Sequence, residues 1–127
     1  EQFLVTLDGP LDVPRLARAW AAVIDARPVL RARFGSDGDE PWQVAAPPGE
    51  PPEFRHVVLP ATAPEGAAAL AALATAELAR PFDLAAGPPV RAVLAARGPG
   101  AHVLVVTAHH LVADGLSVVP LRDDLAR

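Results

Sequence analysis

The residues with the clearest chemical potential are His109-His110, followed at a fixed distance by Asp114-Gly115. An imidazole titrates near neutrality and can take or hold a proton during group transfer. Neighbouring residues on an extended strand point to opposite faces. The two histidines therefore share one substrate only if the strand has already ended, and one is expected to be structural and the other free for chemistry. Asp114 stands four residues beyond His110, at an expected strand-to-helix turn, where a buried carboxylate needs a cation or several N–H donors. Gly115 permits a backbone conformation or a close approach that a side chain would block. Plainer readings exist for each piece. A His-His pair at a strand end is commonly just satisfied or solvated, and Asp-Gly alone is commonly a turn. A metal centre is not expected, because adjacent histidines converge poorly and no third strong ligand is evident. A Ser117–His110–Asp114 hydrolase triad lacks the nucleophile-elbow pattern.

Composition narrows the alternatives. The chain has 127 residues, 51% of them hydrophobic, which is enough to build a core. It contains no cysteine, so disulfides, thiolate-bound zinc and a thiol nucleophile are excluded. Eleven basic residues, all arginine, stand against 15 acidic ones for a net charge of -4. Nucleic acid is not an expected partner on that balance. No apolar run is long enough for a membrane span and no signal peptide opens the sequence, so no membrane partner is expected and a cytoplasmic location is.

The patterning predicts the elements that hold the histidines. Residues 2–7 alternate as a strand, with Phe3, Val5 and Leu7 on one face. Asp12 reads as an N-cap, and Leu16, Trp20, Val23 and Ile24 fall on one helical stripe that Pro28 stops. Residues 30–34 alternate so that Arg31 and Arg33 would share one strand face, with residues 42–46 as partner strand. A strand is predicted over 55–59. Thr62 and Glu65 fit a capping box, opening an alanine-rich helix to about residue 79 with Leu70, Leu73 and Leu78 inward. Residues 90–96 and 102–108 read as paired strands. The second is nearly all apolar, as suits a strand covered on both faces. A further helix is expected beyond it, with Ser117 as cap. The order predicts an α/β (α+β) fold, a mixed sheet with flanking helices.

His109-His110-x-x-x-Asp114-Gly115 resembles the HHxxxDG motif of the condensation domains of nonribosomal peptide synthetases and of the wider chloramphenicol-acetyltransferase-like acyltransferases. Other segments resemble the same family in order. Residues 7–12 (LDGPLD) are similar to its L-x-G-x-L-D entry. Residues 27–34 (RPVLRARF) are similar to RHxxLRTxF, with Pro28 where the usual histidine stands. Residues 81–84 (PFDL) with 87–91 (GPPVR) are similar to PFDL…GPPLR. The DxxxxD pattern of heterocyclisation domains is absent, and so is the tryptophan that commonly follows the motif in epimerisation domains.

The resemblance implies that residues 1–127 form a partial condensation domain, the N-terminal lobe of a chloramphenicol-acetyltransferase-like fold, with the C-terminal lobe absent. It implies His110 as the catalytic histidine, acting as base or by positioning the acceptor amine. His109 and Gly115 would support the site. Asp114 would hold the loop through an ion pair with Arg31, with Arg33 as the alternative. The implied reaction is amide formation between a carrier-bound acyl or peptidyl thioester and an aminoacyl acceptor. No cofactor would be bound directly; both substrates would arrive on the phosphopantetheine of carrier proteins. Those carriers, neighbouring synthetase domains and the missing lobe are the implied partners, and the fragment alone is expected to be inactive. Two alternatives stand beside this reading: a free-standing acyltransferase using acyl-CoA or a carrier, and a non-catalytic docking lobe.

Overall fold

A computed structural model describes residues 2–49, 53–62 and 64–110. Four strands form one sheet: β1 (Gln2–Asp8), β4 (Phe54–Val58), β5 (Val90–Ala96) and β6 (Ala101–Ala108). Their order is β1-β6-β5-β4, antiparallel except for the parallel pair β4–β5. The first and last described strands are thus neighbours: β1 pairs with β6, Leu4 opposite Val105. Residues 103–108 of β6 are all buried, as the unbroken apolar run requires. Gly98 and Gly100 make the β5–β6 turn at φ of 108° and 70°, which a side chain would strain.

Helix α1 (Val13–Ala26) covers one face. Asp12 caps it, its side chain accepting from the Arg15 N–H at 3.2 Å. Its stripe of Leu16, Trp20, Val23 and Ile24 packs on Val90, Ala92, Leu94, Leu104, Val106 and Ala108. Helix α2 (Glu65–Ala79) lies against the other face, where Gln2, Arg91 and Thr107 form a polar row across β1, β6 and β5. Gln2 Nε2 donates to the Ala74 carbonyl at 2.8 Å and to Thr107 Oγ1 at 3.2 Å. Among the described residues, no helix is long and apolar enough to cross a membrane.

Three expectations need correction. Residues 30–34 are not one strand. Pro28, with φ preset and no N–H to lose, starts a 3-10 turn over Pro28–Arg31, and β2 (Ala32–Asp37) begins only after it, pairing with β3 (Glu40–Ala45). Arg31 and Arg33 therefore do not share a strand face. The Thr62 capping box does not form. Pro64 is the N-cap and no side chain caps the helix, so α2 starts beyond Pro64 and Thr62 contributes its carbonyl, accepting from the Gly66 N–H at 2.9 Å. Finally, Leu78 is exposed while Glu77 is buried. Positions 70, 73, 74 and 77 make one helical stripe, which passes 78 by. Glu77 tolerates that place because Arg55 pairs with its carboxylate at 2.9 Å and Arg80 at 3.6 Å.

The start of α2 yields a prediction against propensity. Alanine outranks glycine in a helix by about 1 kcal/mol. A Cβ on Gly66, however, would land on the carbonyl oxygen of Pro60, which is backbone and cannot swing away. Gly66→Ala is expected to destabilise by roughly 1–3 kcal/mol, read as faster hydrogen exchange through the first turns of α2. Slower exchange would show that the Pro60 segment yields.

Candidate active site

The central strand ends at Ala108, so both histidines follow it rather than alternate along it. His109 continues the β5–β6 pairing by one bond, its N–H donating to the Pro89 carbonyl at 2.8 Å. Its ring is half-buried, whereas His110 is exposed. The strand has ended before the pair, so the alternation that would send the two rings to opposite faces no longer applies. The two rings lie together, centroids 4.3 Å apart and tilted by 33°.

Behind His109 stands a supporting stack. Phe82 meets the imidazole edge-on, at 6.0 Å between centroids and 85° between planes. The Arg91 guanidinium sits 4.0 Å above the Phe82 centroid. Arg91 is buried on β5, and its Nη2 donates to the carbonyls of Glu77 and, at 2.7 Å, Arg80 at the end of α2. Burial, and next the nearby Arg80 charge, lowers the Arg91 pKa from its ordinary value, yet a guanidinium stays protonated.

Burial also holds His109 below the usual imidazole range, and the neighbouring His110 pushes in the same direction. His109 is thus a poor proton acceptor beside an exposed imidazole. The pair divides into a held ring and a reachable one.

Arg31 bonds to backbone carbonyls. Its Nε donates to the Ala46 carbonyl at 2.9 Å, and its Nη1 to the carbonyls of Ile24 at 3.1 Å and Asp25 at 2.6 Å. That fork ties the end of α1 to the strand pair. Arg33 is buried, with Nη1 donating to the carbonyls of Arg31 at 3.1 Å and Ala32 at 3.3 Å. Its neighbour Phe34 donates its N–H to the Leu84 carbonyl at 2.7 Å, which draws β2 onto the loop carrying Phe82. Asp114, Gly115 and Ser117 lie outside the described residues. Among the described residues no three His, Cys, Asp or Glu side chains gather in a way that could hold a metal ion.

Sequence reasoning gave no role to Phe82 or Arg91 beyond a shared motif. One signal was available: an arginine inside the otherwise apolar run 90–96 must be buried with a purpose.

Comparison with known proteins agrees with this architecture. Residues 1–127 match the family described as Condensation domain. Over 120 residues the chain is 41% identical to a probable non-canonical nonribosomal peptide synthetase, CymA, of Salinispora arenicola, covering 94% of this chain and 1% of that one. Over 118 residues it is 37% identical to the phosphinothricin tripeptide synthetase PhsC of Streptomyces viridochromogenes, covering 91% of this chain and 11% of that one. It superposes on the first condensation domain of the calcium-dependent antibiotic synthetase, solved with a substrate analogue, at a TM-score of 0.83 and 26% identity. That match covers 97% of this chain and 30% of the other. The mixed α/β fold is that of condensation domains, the chloramphenicol-acetyltransferase-like fold.

The lowered His109 pKa sets a sign for its titration. An unfolded chain would protonate this ring near pH 6.5 while the folded chain resists, so its contribution to stability falls as pH drops through that value and levels off below the folded pKa. Histidine C2-hydrogen exchange across pH, resolved by mass spectrometry in the intact parent protein, is expected to place the His109 midpoint below 6.5. A midpoint above it would mean that the ring finds a charge partner.

Proposed function

The chain belongs to the condensation-domain family, and from that membership we propose that it is the N-terminal lobe of a domain forming amide bonds in nonribosomal peptide assembly. The observation that carries this reading is the exposed His110 ring at the end of the central strand, backed by a held His109. The acceptor amine attacks the donor thioester carbonyl, the C–N bond forms, the C–S bond breaks, and the proton lost by nitrogen ends on the departing thiolate. His110 either takes that proton or orients the amine that gives it up. It is the one catalytic residue in this reading. Donor and acceptor arrive on the phosphopantetheine arms of carrier proteins, in keeping with the synthetase names of the relatives. The chain spans 30% of the condensation-domain structure it resembles, which supports placing the other wall of the site in the rest of the parent chain. Groups that must be fixed to about an ångström are then incomplete in this lobe alone, and it is inactive by itself.

Asp114 holds the turn after His110 by pairing with Arg33 rather than Arg31. What supports this choice is placement. Arg31 is half-buried and spreads its fork over three carbonyls of α1 and the segment after β3, whereas Arg33, with Nη1 on the carbonyls of Arg31 and Ala32, is buried on the strand bonded to the Phe82 loop.

In the intact parent, His110→Ala is expected to lower the condensation rate by roughly 10²- to 10⁴-fold, measured with carrier-loaded donor and acceptor. A rate near wild type would end the assignment. Asp114→Asn is expected to destabilise by roughly 3–5 kcal/mol, as when a buried ion pair loses one member. Combined with Arg33→Gln, its effect should be strongly non-additive. Additivity there, with coupling to Arg31→Gln instead, would restore the other pairing.

A further inference from the structure

We propose that Phe82 and Arg91 are positioning residues for the His110 imidazole, acting through His109. The inference rests on the reading of His110 as the catalytic residue and adds what holds it. An exposed imidazole has free rotation unless something packs on it. The ring contact that His110 makes among the described residues is with His109, at 4.3 Å. His109 is in turn fixed twice: through its backbone bond to Pro89 and through the Phe82 edge contact.

Phe82 belongs to a loop, and a loop aromatic would drift without an anchor of its own. Arg91 provides it. The guanidinium carbon lies 4.0 Å over the ring centroid while Nη2 is bonded to the two carbonyls at the end of α2. On strand β5 that arginine is the exception. Its neighbours Val90, Ala92, Val93, Leu94 and Ala95 are apolar and buried, and its own Nε is buried without a hydrogen-bond acceptor among the described residues. An aliphatic side chain would occupy the place at lower cost. What only arginine brings is a rigid cationic plane for the ring and donors for the carbonyls on the same side chain. The result is a continuous run of ring and cation contacts from the end of α2 to the reacting group: Arg91, Phe82, His109, His110.

The test uses the intact parent synthetase and separates kcat from the KM for the acceptor-loaded carrier. Phe82→Leu is expected to lower kcat roughly 10- to 100-fold, the scale set by a misplacement of about an ångström, with KM within about twofold. Phe82→Tyr keeps the ring and is expected to keep most of the rate. In a His110→Ala background, Phe82→Leu should cause no further loss, because the group it positions is gone. Arg91→Lys keeps the charge but not the plane and is carried through the same comparison, so that a folding failure in one variant leaves the other to decide. A full rate in Phe82→Leu, beside a strong loss in His110→Ala, overturns the positioning role and leaves the catalytic assignment standing. An equal loss in both backgrounds also overturns it, since the effect would then be structural. Full activity in His110→Ala removes the premise itself.

Discussion

A strand covered on both faces can carry almost no polar side chain along its length, and β6 is such a strand. Residues 103–108 are sealed between α1 and α2, with Thr107 admitted only because Gln2 bonds to its hydroxyl. Anything chemical on this strand must wait until the chain leaves the core. The first positions where that happens are 109 and 110. The same burial makes the departure point rigid, since β6 is paired on both sides, by β1 and by β5. A reactive ring placed there stands at a solvent boundary on the least deformable backbone of the sheet. The price of that rigidity is paid in topology: β1 must return across most of the chain to cover β6.

The helices flanking the sheet share one device. Neither has a basic residue in its last turn, although the negative end of each helix dipole favours a cation. Each receives an arginine from elsewhere. Arg31, from the turn that follows α1, forks onto the carbonyls of Ile24 and Asp25. Arg91, from the sheet, reaches those of Glu77 and Arg80. These bonds satisfy terminal carbonyls and tie each helix to a second element, with charge-assisted bonds worth about 1.5–3 kcal/mol apiece. The chain has arginine and no lysine, and the planar guanidinium suits the task because one group can serve several acceptors at once. Around α2 the scheme widens. Glu77 and Glu53 draw in Arg55 and Arg80, so the parallel strand β4, which among the described residues has only β5 beside it, is held to the helix by ion pairs.

Much of this could be seen in the residues and some could not. The continuous apolar run of β6 and the spaced stripe of α1 with its Asp12 cap leave few alternatives, and both elements are where the pattern puts them. Residues 30–34 were ambiguous because five residues of alternation also fit a short 3-10 turn running into a strand. Pro28 tips the balance by fixing the first dihedral of the turn. In α2 the abundance of alanine blurs the stripe, so Leu78 looked like a core residue while Glu77 took the inward position. The sites of His109 and His110 were legible, but not their stacking, which depends on where the strand ends to the residue. Phe82 and Arg91 were legible only as a motif. Their joint role needs four elements brought together, and no local pattern encodes that.

The asymmetry between the two histidines follows from that assembly. In its proposed role His110 must be reachable by substrate, yet a reachable side chain is ordinarily a mobile one. The structure separates the two demands. Burial lowers the His109 pKa, and this ring takes the packing, with Phe82 at its edge and Pro89 on its backbone. His110 is left open and borrows order from its neighbour. The held ring offers the exposed one a packing surface, 4.3 Å away between centroids. Burial of the first histidine is therefore part of how the second can be both exposed and placed.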